Sequence, residues 1–171
     1  MAPDDPIRRL ARQIDESRKS ERFRVNAEEV AWFRRQGACQ LHRVCADFVS
    51  SLNRRMSDSQ IELSPPAYEP EMFRERGVNL LQISSHGRQM QIVFQATTTL
   101  FSTDKYAVPY ILEGEIRTYN QSMLDRFEIR NQSLFYCVED DRTFWRFYDW
   151  RNPRILPVDA DLLATLMQRL F

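Results

Sequence analysis

Leu134 to Trp150 reads LFYCVEDDRTFWRFYDW, and seven of these seventeen residues are Phe, Tyr or Trp, out of twenty in the chain. Two apolar runs flank Glu139-Asp140-Asp141, the pattern of a β-hairpin closed by an acidic turn. Pairing across Asp140-Asp141 sets Glu139 against Arg142, Cys137 against Phe144, Tyr136 against Trp145, Phe135 against Arg146 and Leu134 against Phe147. One face then carries Leu134, Tyr136, Val138, Trp145 and Phe147 and, having no charge, is expected to be core. The second carries Phe135, Cys137, Phe144, Arg146, Tyr148 and Trp150, aromatics around one arginine. That composition is enriched at the centres of interfaces. Each aromatic ring buries about 150–250 Å², so the second face needs cover, from a helix of the same chain or from a partner.

The segment before this hairpin has the same period of two. Asn79–Ser85 and Arg88–Ala96 flank His86-Gly87, a two-residue turn, with Leu81 facing Ile92 and Ile83 facing Met90. The alternate positions are Gln82, Ser84, Gln89, Gln91 and Gln95, so one face is buried and one is wet, as in an antiparallel sheet. The second strand is expected to run on through the threonines of Thr97–Phe101. Leu112, Gly114, Ile116 and Thr118 alternate with Glu113, Glu115, Arg117 and Tyr119 in a further strand, with Gly114 marking a bulge or a close contact. Asn120–Phe127 reads as irregular or as one helical turn.

Helices bracket the strands. Asn26 and Glu29 form a capping pattern with Val25 and Val30 as a hydrophobic staple. Val30, Phe33, Gly37, Leu41, Val44, Cys45, Phe48 and Leu52 then share one face of a long helix ending near Met56. Gly37 within that face predicts close approach of another backbone. Pro70 to Arg76, with proline first and Gly77 just beyond, predicts a two-turn helix. Asp159 caps a last helix whose stripe is Leu162, Leu163, Leu166, Met167 and Leu170. The expected fold is α+β: a single antiparallel sheet of five or six strands packed against a long N-terminal helix, with a short C-terminal helix. Residues 1–24 read as an N-terminal helix (Ile7, Leu10, Ala11, Ile14) or a partly mobile arm, and residues 25–171 as one domain.

Composition excludes several function classes. The chain has 24 basic and 24 acidic residues, and its only two lysines weaken the case for nucleic acid, as do Asp140, Asp141 and Asp149 beside the Trp145–Arg151 aromatic and basic run. The longest apolar run, Tyr106 to Leu112, is far too short to span a bilayer, and no secretory signal opens the sequence. Three cysteines without paired spacing suit a reducing compartment, and a cytoplasmic location is expected.

The catalytic options are thin. Cys39, His42 and Cys45 resemble a zinc spacing, but on a helix Cys39 and Cys45 diverge and cannot reach one ion. His42 and His86 are the two imidazoles, and the chain has four glycines and no phosphate-loop or nucleophile-elbow motif. Paired carboxylates at Glu113 and Glu115, or in the Glu139–Asp141 turn, are the remaining acid–base candidates. No catalytic residue, cofactor or metal is assigned. The expected function is a non-enzymatic protein-interaction module, self-associating or binding another protein, with contacts through Trp32, Phe135, Phe144, Arg146, Tyr148 and Trp150. Trp32 belongs to this set because it projects opposite the core stripe of the long helix and needs cover, which Ile7, Leu10 and Ile14 or a second subunit could supply. The second expectation is a small apolar ligand held between sheet and long helix around Met90, Phe94, Trp145 and Phe147.

Overall fold

The computed structural model describes residues 5–20 and 26–171. Helix α1 (Pro6–Ser20) and the long α2 (Ala27–Asn53) precede seven strands. These are β1 (Glu62–Ser64), β2 (Asn79–Ser85), β3 (Arg88–Ala96), β4 (Tyr110–Tyr119), β5 (Arg130–Glu139), β6 (Arg142–Asp149) and β7 (Arg154–Pro157). The short α3 (Gln121–Asp125) links β4 to β5, and α4 (Ala160–Gln168) follows the last strand. The strands form one antiparallel sheet in sequence order.

The sheet thus has seven strands where five or six were expected. Ile61 and Leu63, whose spacing suggests the start of a strand before Pro65, mark the three-residue edge strand β1. The strand without such a signal is the opposite edge, β7, four residues that follow Pro153 and end in Pro157, too short to show a period of two. Two turns are as expected: His86 and Gly87, and Asp140 and Asp141, all have positive φ, the geometry that matches the twist of a two-residue hairpin. The registers follow, with Leu81 opposite Ile92 and Tyr136 opposite Trp145.

Three local expectations are corrected. β3 stops at Ala96, because the Thr97 hydroxyl bonds the carbonyls of Thr99 (2.6 Å) and Ile111 (3.2 Å) and turns the chain. Only Pro70–Met72 forms a helical turn, since the Asn79 side chain accepts from the Arg74 amide (2.8 Å) and donates to the Arg74 carbonyl (3.1 Å), replacing helical bonds. At Gly37 the close approach is by a side chain: a Cβ there would lie 2.6 Å from Tyr136 Cδ1. Gly114 makes the close contact, with Phe94, while the register shift falls between Tyr110 and Leu112.

Asn26 caps α2 through the Glu29 amide (3.0 Å), whereas its staple residue Val25 lies outside the described residues. The stripe Val30, Leu41, Cys45 and Phe48 packs on one sheet face with Leu81, Ile83, Met90, Phe94, Leu134, Tyr136, Trp145 and Phe147. α4 is capped by Asp159 and lies beside α2, adding Leu162, Leu163, Leu166 and Met167 to the same cluster. The Trp145 indole donates to the Gly37 carbonyl (2.8 Å), fastening the hairpin to the middle of α2.

Candidate functional site

Both α2 and α4 sit on one face of the sheet, so alternate residues of every strand point away from them. Along that open face Val93, Glu115, Ser133, Tyr148 and Ile155 form a row across β3 to β7. Beside it run Gln82 and Gln91, bonded to each other at 2.9 Å. The open face has its own small cluster, Tyr110, Phe135 and Cys137, with Tyr106, Val108, Phe144 and Tyr148 packed against it.

The connection between β3 and β4, residues 97–109, builds this cluster. Tyr106 lies flat on Phe135, with centroids 5.1 Å apart and planes 4° apart, and Tyr110 meets Phe135 at 4.7 Å. The root of the connection is held from the other side of the sheet by Arg34 of α2. Its guanidinium, buried, donates to the carbonyls of Ile111 (3.0 Å), Thr97 (3.3 Å) and Thr99 (3.1 Å) and to the Thr97 hydroxyl (3.0 Å), and it pairs with Glu75. Sequence reasoning missed both parts. The signals were present: Arg34 is a charge beside the apolar stripe of α2, and Tyr106–Leu112 is an apolar run with no other purpose.

The six residues expected to form a contact surface separate into two groups. Phe135 is buried beneath Tyr106 and Tyr110. Phe144 and Tyr148 are half-buried, with the Arg146 guanidinium 4.3 Å from the Phe144 ring centre. Trp150 lies just past β6, 59% exposed, with Arg151 over its ring at 5.1 Å. Trp32 projects from α2, which packs on the opposite sheet face, and is 54% exposed, meeting the Phe33 ring edge-on at 5.1 Å. Ile7, Leu10 and Ile14 of α1 are themselves exposed and do not bury it. Trp32 and the hairpin residues therefore belong to separate surfaces.

Of the acid–base candidates, the two strand carboxylates are engaged with the chain's own cations. Glu113 pairs with Lys105 and Glu115 with Arg117, each at 3.2 Å, around a groove of about 400 Å³ on the open face. Asp140 and Asp141 are exposed turn residues. His42 bonds the Pro65 carbonyl through Nε2 (2.9 Å) and stacks on Tyr68 at 5.6 Å. Burial pushes the Cys45 thiol up to about 12, and likewise Cys137, the latter opposed by Arg146; Cys39 is also raised by burial. A thiol held so far above its ordinary range is a poor nucleophile at neutral pH. Among the described residues no three His, Cys, Asp or Glu side chains come together as metal ligands.

Met90, Phe94, Trp145 and Phe147, the residues expected around an apolar ligand, are buried and packed in the core. An apolar cavity of about 470 Å³ opens elsewhere, between the end of α2, α4 and the β2–β3 turn, lined by Phe48, Leu52, Met56, Ile61, Met167 and Phe171. No helix among the described residues is long and apolar enough to cross a membrane. Comparison of the chain with protein-family models, curated proteins and solved structures finds no match.

Proposed function

We propose that the protein is a non-enzymatic interaction module, self-associating or binding another protein, which makes contact through the β6–β7 end of its open sheet face. In this reading residues 25–171 form the module, and residues 1–24, an N-terminal helix or arm, lie outside it. The observation that carries this reading is the apolar corner at Trp150 and Ile155, both exposed, beside half-buried Tyr148 and Arg146, with Ile155 directly opposite Tyr148. It coincides with β7, an edge strand whose outer backbone groups have no neighbour in the sheet. An aromatic anchor, an arginine and a free strand edge are what strand addition and interface centres use. The free thiols accord with a reducing, cytoplasmic setting.

Light scattering across a protein dilution series tests the self-associating form. Wild type is expected to show a dimer mass at high concentration, and Trp150→Ala and Ile155→Arg to lower it toward a monomer. Trp32→Ala, on the separate surface, reports whether α2 contributes. A monomer for every variant at all concentrations removes self-association.

The apolar cavity beside α4 supports a second reading, a small apolar-ligand binder, moved from the packed core to this site. Saturable binding of a fluorescent fatty acid, weakened by Ala164→Trp, is its expected signature. Binding that Ala164→Trp leaves unchanged argues against it.

A further inference from the structure

The connections at one end of the sheet bring together arginines that are far apart in sequence. Arg126 follows α3, Arg130 opens β5, Arg151 lies in the β6–β7 turn and Arg169 ends α4. All four line one cavity of about 580 Å³, within the roughly 300–1,000 Å³ of small-molecule sites. One carboxylate, Glu128, shares the lining and pairs with Arg126 at 3.7 Å. Arg126 also donates to the Ser122 carbonyl and hydroxyl, and Arg151 stacks on Trp150. Among the described residues Arg130 and Arg169 have neither an ion-pair partner nor a hydrogen-bond partner for the guanidinium. The nearby acids are already placed: Asp149, buried, takes the Arg151 amide (3.1 Å), and Asp125 accepts from Gln121 (2.9 Å). The Arg169 wall is held by Arg88, which donates to the Leu170 carbonyl (2.8 Å) and covers the Phe171 ring at 4.2 Å.

The lip of this cavity holds a second anomaly. The Glu128 amide bonds the Met123 carbonyl (2.8 Å) and the Phe127 amide the Leu124 carbonyl (3.1 Å), the paired bonds of a Schellman cap. Phe127 occupies the left-handed position, with φ 56°, where glycine is strongly preferred. Its ring is 94% exposed and makes no aromatic contact among the described residues. Neither backbone preference nor burial accounts for a phenylalanine here. Strain of this kind at a cavity rim is a pointer to ligand binding.

We propose that this corner binds a small molecule carrying several phosphate groups, with Arg130 and Arg169 as the main phosphate donors. Guanidinium forks match phosphate oxygens in a bidentate way and keep their charge at every physiological pH. Phe127 offers a flat apolar surface for a ring on the same ligand, so a nucleotide uses both features and a ring-less polyphosphate only the arginines.

Isothermal titration of the full chain with ATP, tripolyphosphate and inositol hexakisphosphate tests this. At least one probe is expected to bind saturably with one-to-one stoichiometry, more weakly as salt rises. Arg130→Ala and Arg169→Ala are each expected to weaken binding by about tenfold or more, while Arg35→Ala, on the exposed side of α2, leaves it unchanged. Phe127→Gly, which suits the backbone, raises the denaturation midpoint. If it also weakens ATP but not tripolyphosphate, the ligand is a nucleotide; if it weakens neither, it is a ring-less polyphosphate. No saturable binding of any probe up to about 1 mM overturns the proposal. So does an equal effect of Arg35→Ala.

Discussion

Gly37 carries opposite demands from local and tertiary structure. In an isolated helix alanine would be better by roughly 1 kcal/mol. Here a Cβ would meet the Tyr136 ring, and the Gly37 carbonyl receives the Trp145 indole at 2.8 Å. Gly37→Ala is therefore expected to destabilise the fold by about 1–3 kcal/mol, the range for overpacking a core. Urea unfolding measures this; a gain in stability would mean that Tyr136 yields without loss. The apolar stripe around Gly37 was readable from its spacing, and so was the need for a close neighbour. That the neighbour is a tyrosine ring was not, since Tyr136 lies 99 residues away in the chain.

Arg34 plays a similar part for a whole connection. It ties α2 to Thr97, Thr99 and Ile111, the two ends of the segment that lays Tyr106 on Phe135. Arg34→Met keeps the length of the side chain but leaves buried carbonyls without a donor. The expected loss is about 3 kcal/mol. The amides of Ser102 and Tyr110, each bonded to the other's carbonyl at 3.0 Å, should then exchange much faster with solvent. Unchanged protection at those two amides would show that the aromatic cluster holds the segment without Arg34. Element identity was legible wherever a period of two or a cap was present, as in β2, β3, β5, β6, α2 and α4. It failed at Thr97–Phe101 and Pro70–Arg76, where side chains of Thr97 and Asn79 compete for backbone bonds that regular structure would use.

The buried thiols and phenols make stability depend on pH in the alkaline range. Cys45, Cys137 and Tyr68 are each pushed up to about 12 by burial, from ordinary values of 9.0 for a thiol and 10.0 for a phenol. Their folded pKa values are raised, so this stabilisation is complete below the unfolded value and fades as pH rises toward the folded one. Between these limits the unfolded chain has lost protons that the folded chain keeps, so stability falls with pH. Urea midpoints at about pH 8 and about pH 10.5 are expected to differ, with the lower midpoint at the higher pH. Cys45→Ala and Cys137→Ala together should flatten that slope; an unaltered slope would assign it to other groups.

The periodicities, caps and turn residues of this chain were enough for an α+β fold, for two hairpin registers and for the division of the aromatic hairpin into two faces. Each depends on residues adjacent or a few positions apart, whose geometry the backbone repeats. What covers the second face did not follow from them. Nor did the strand count, the separation of Trp32 from the hairpin, or the convergence of Arg126, Arg130, Arg151 and Arg169 on one cavity. Those arise where segments far apart in sequence meet, and no local period records which distant side chain will arrive. The sheet had to close in its full order of seven strands before a loop could become a lid over Phe135 and four scattered arginines could line one cavity.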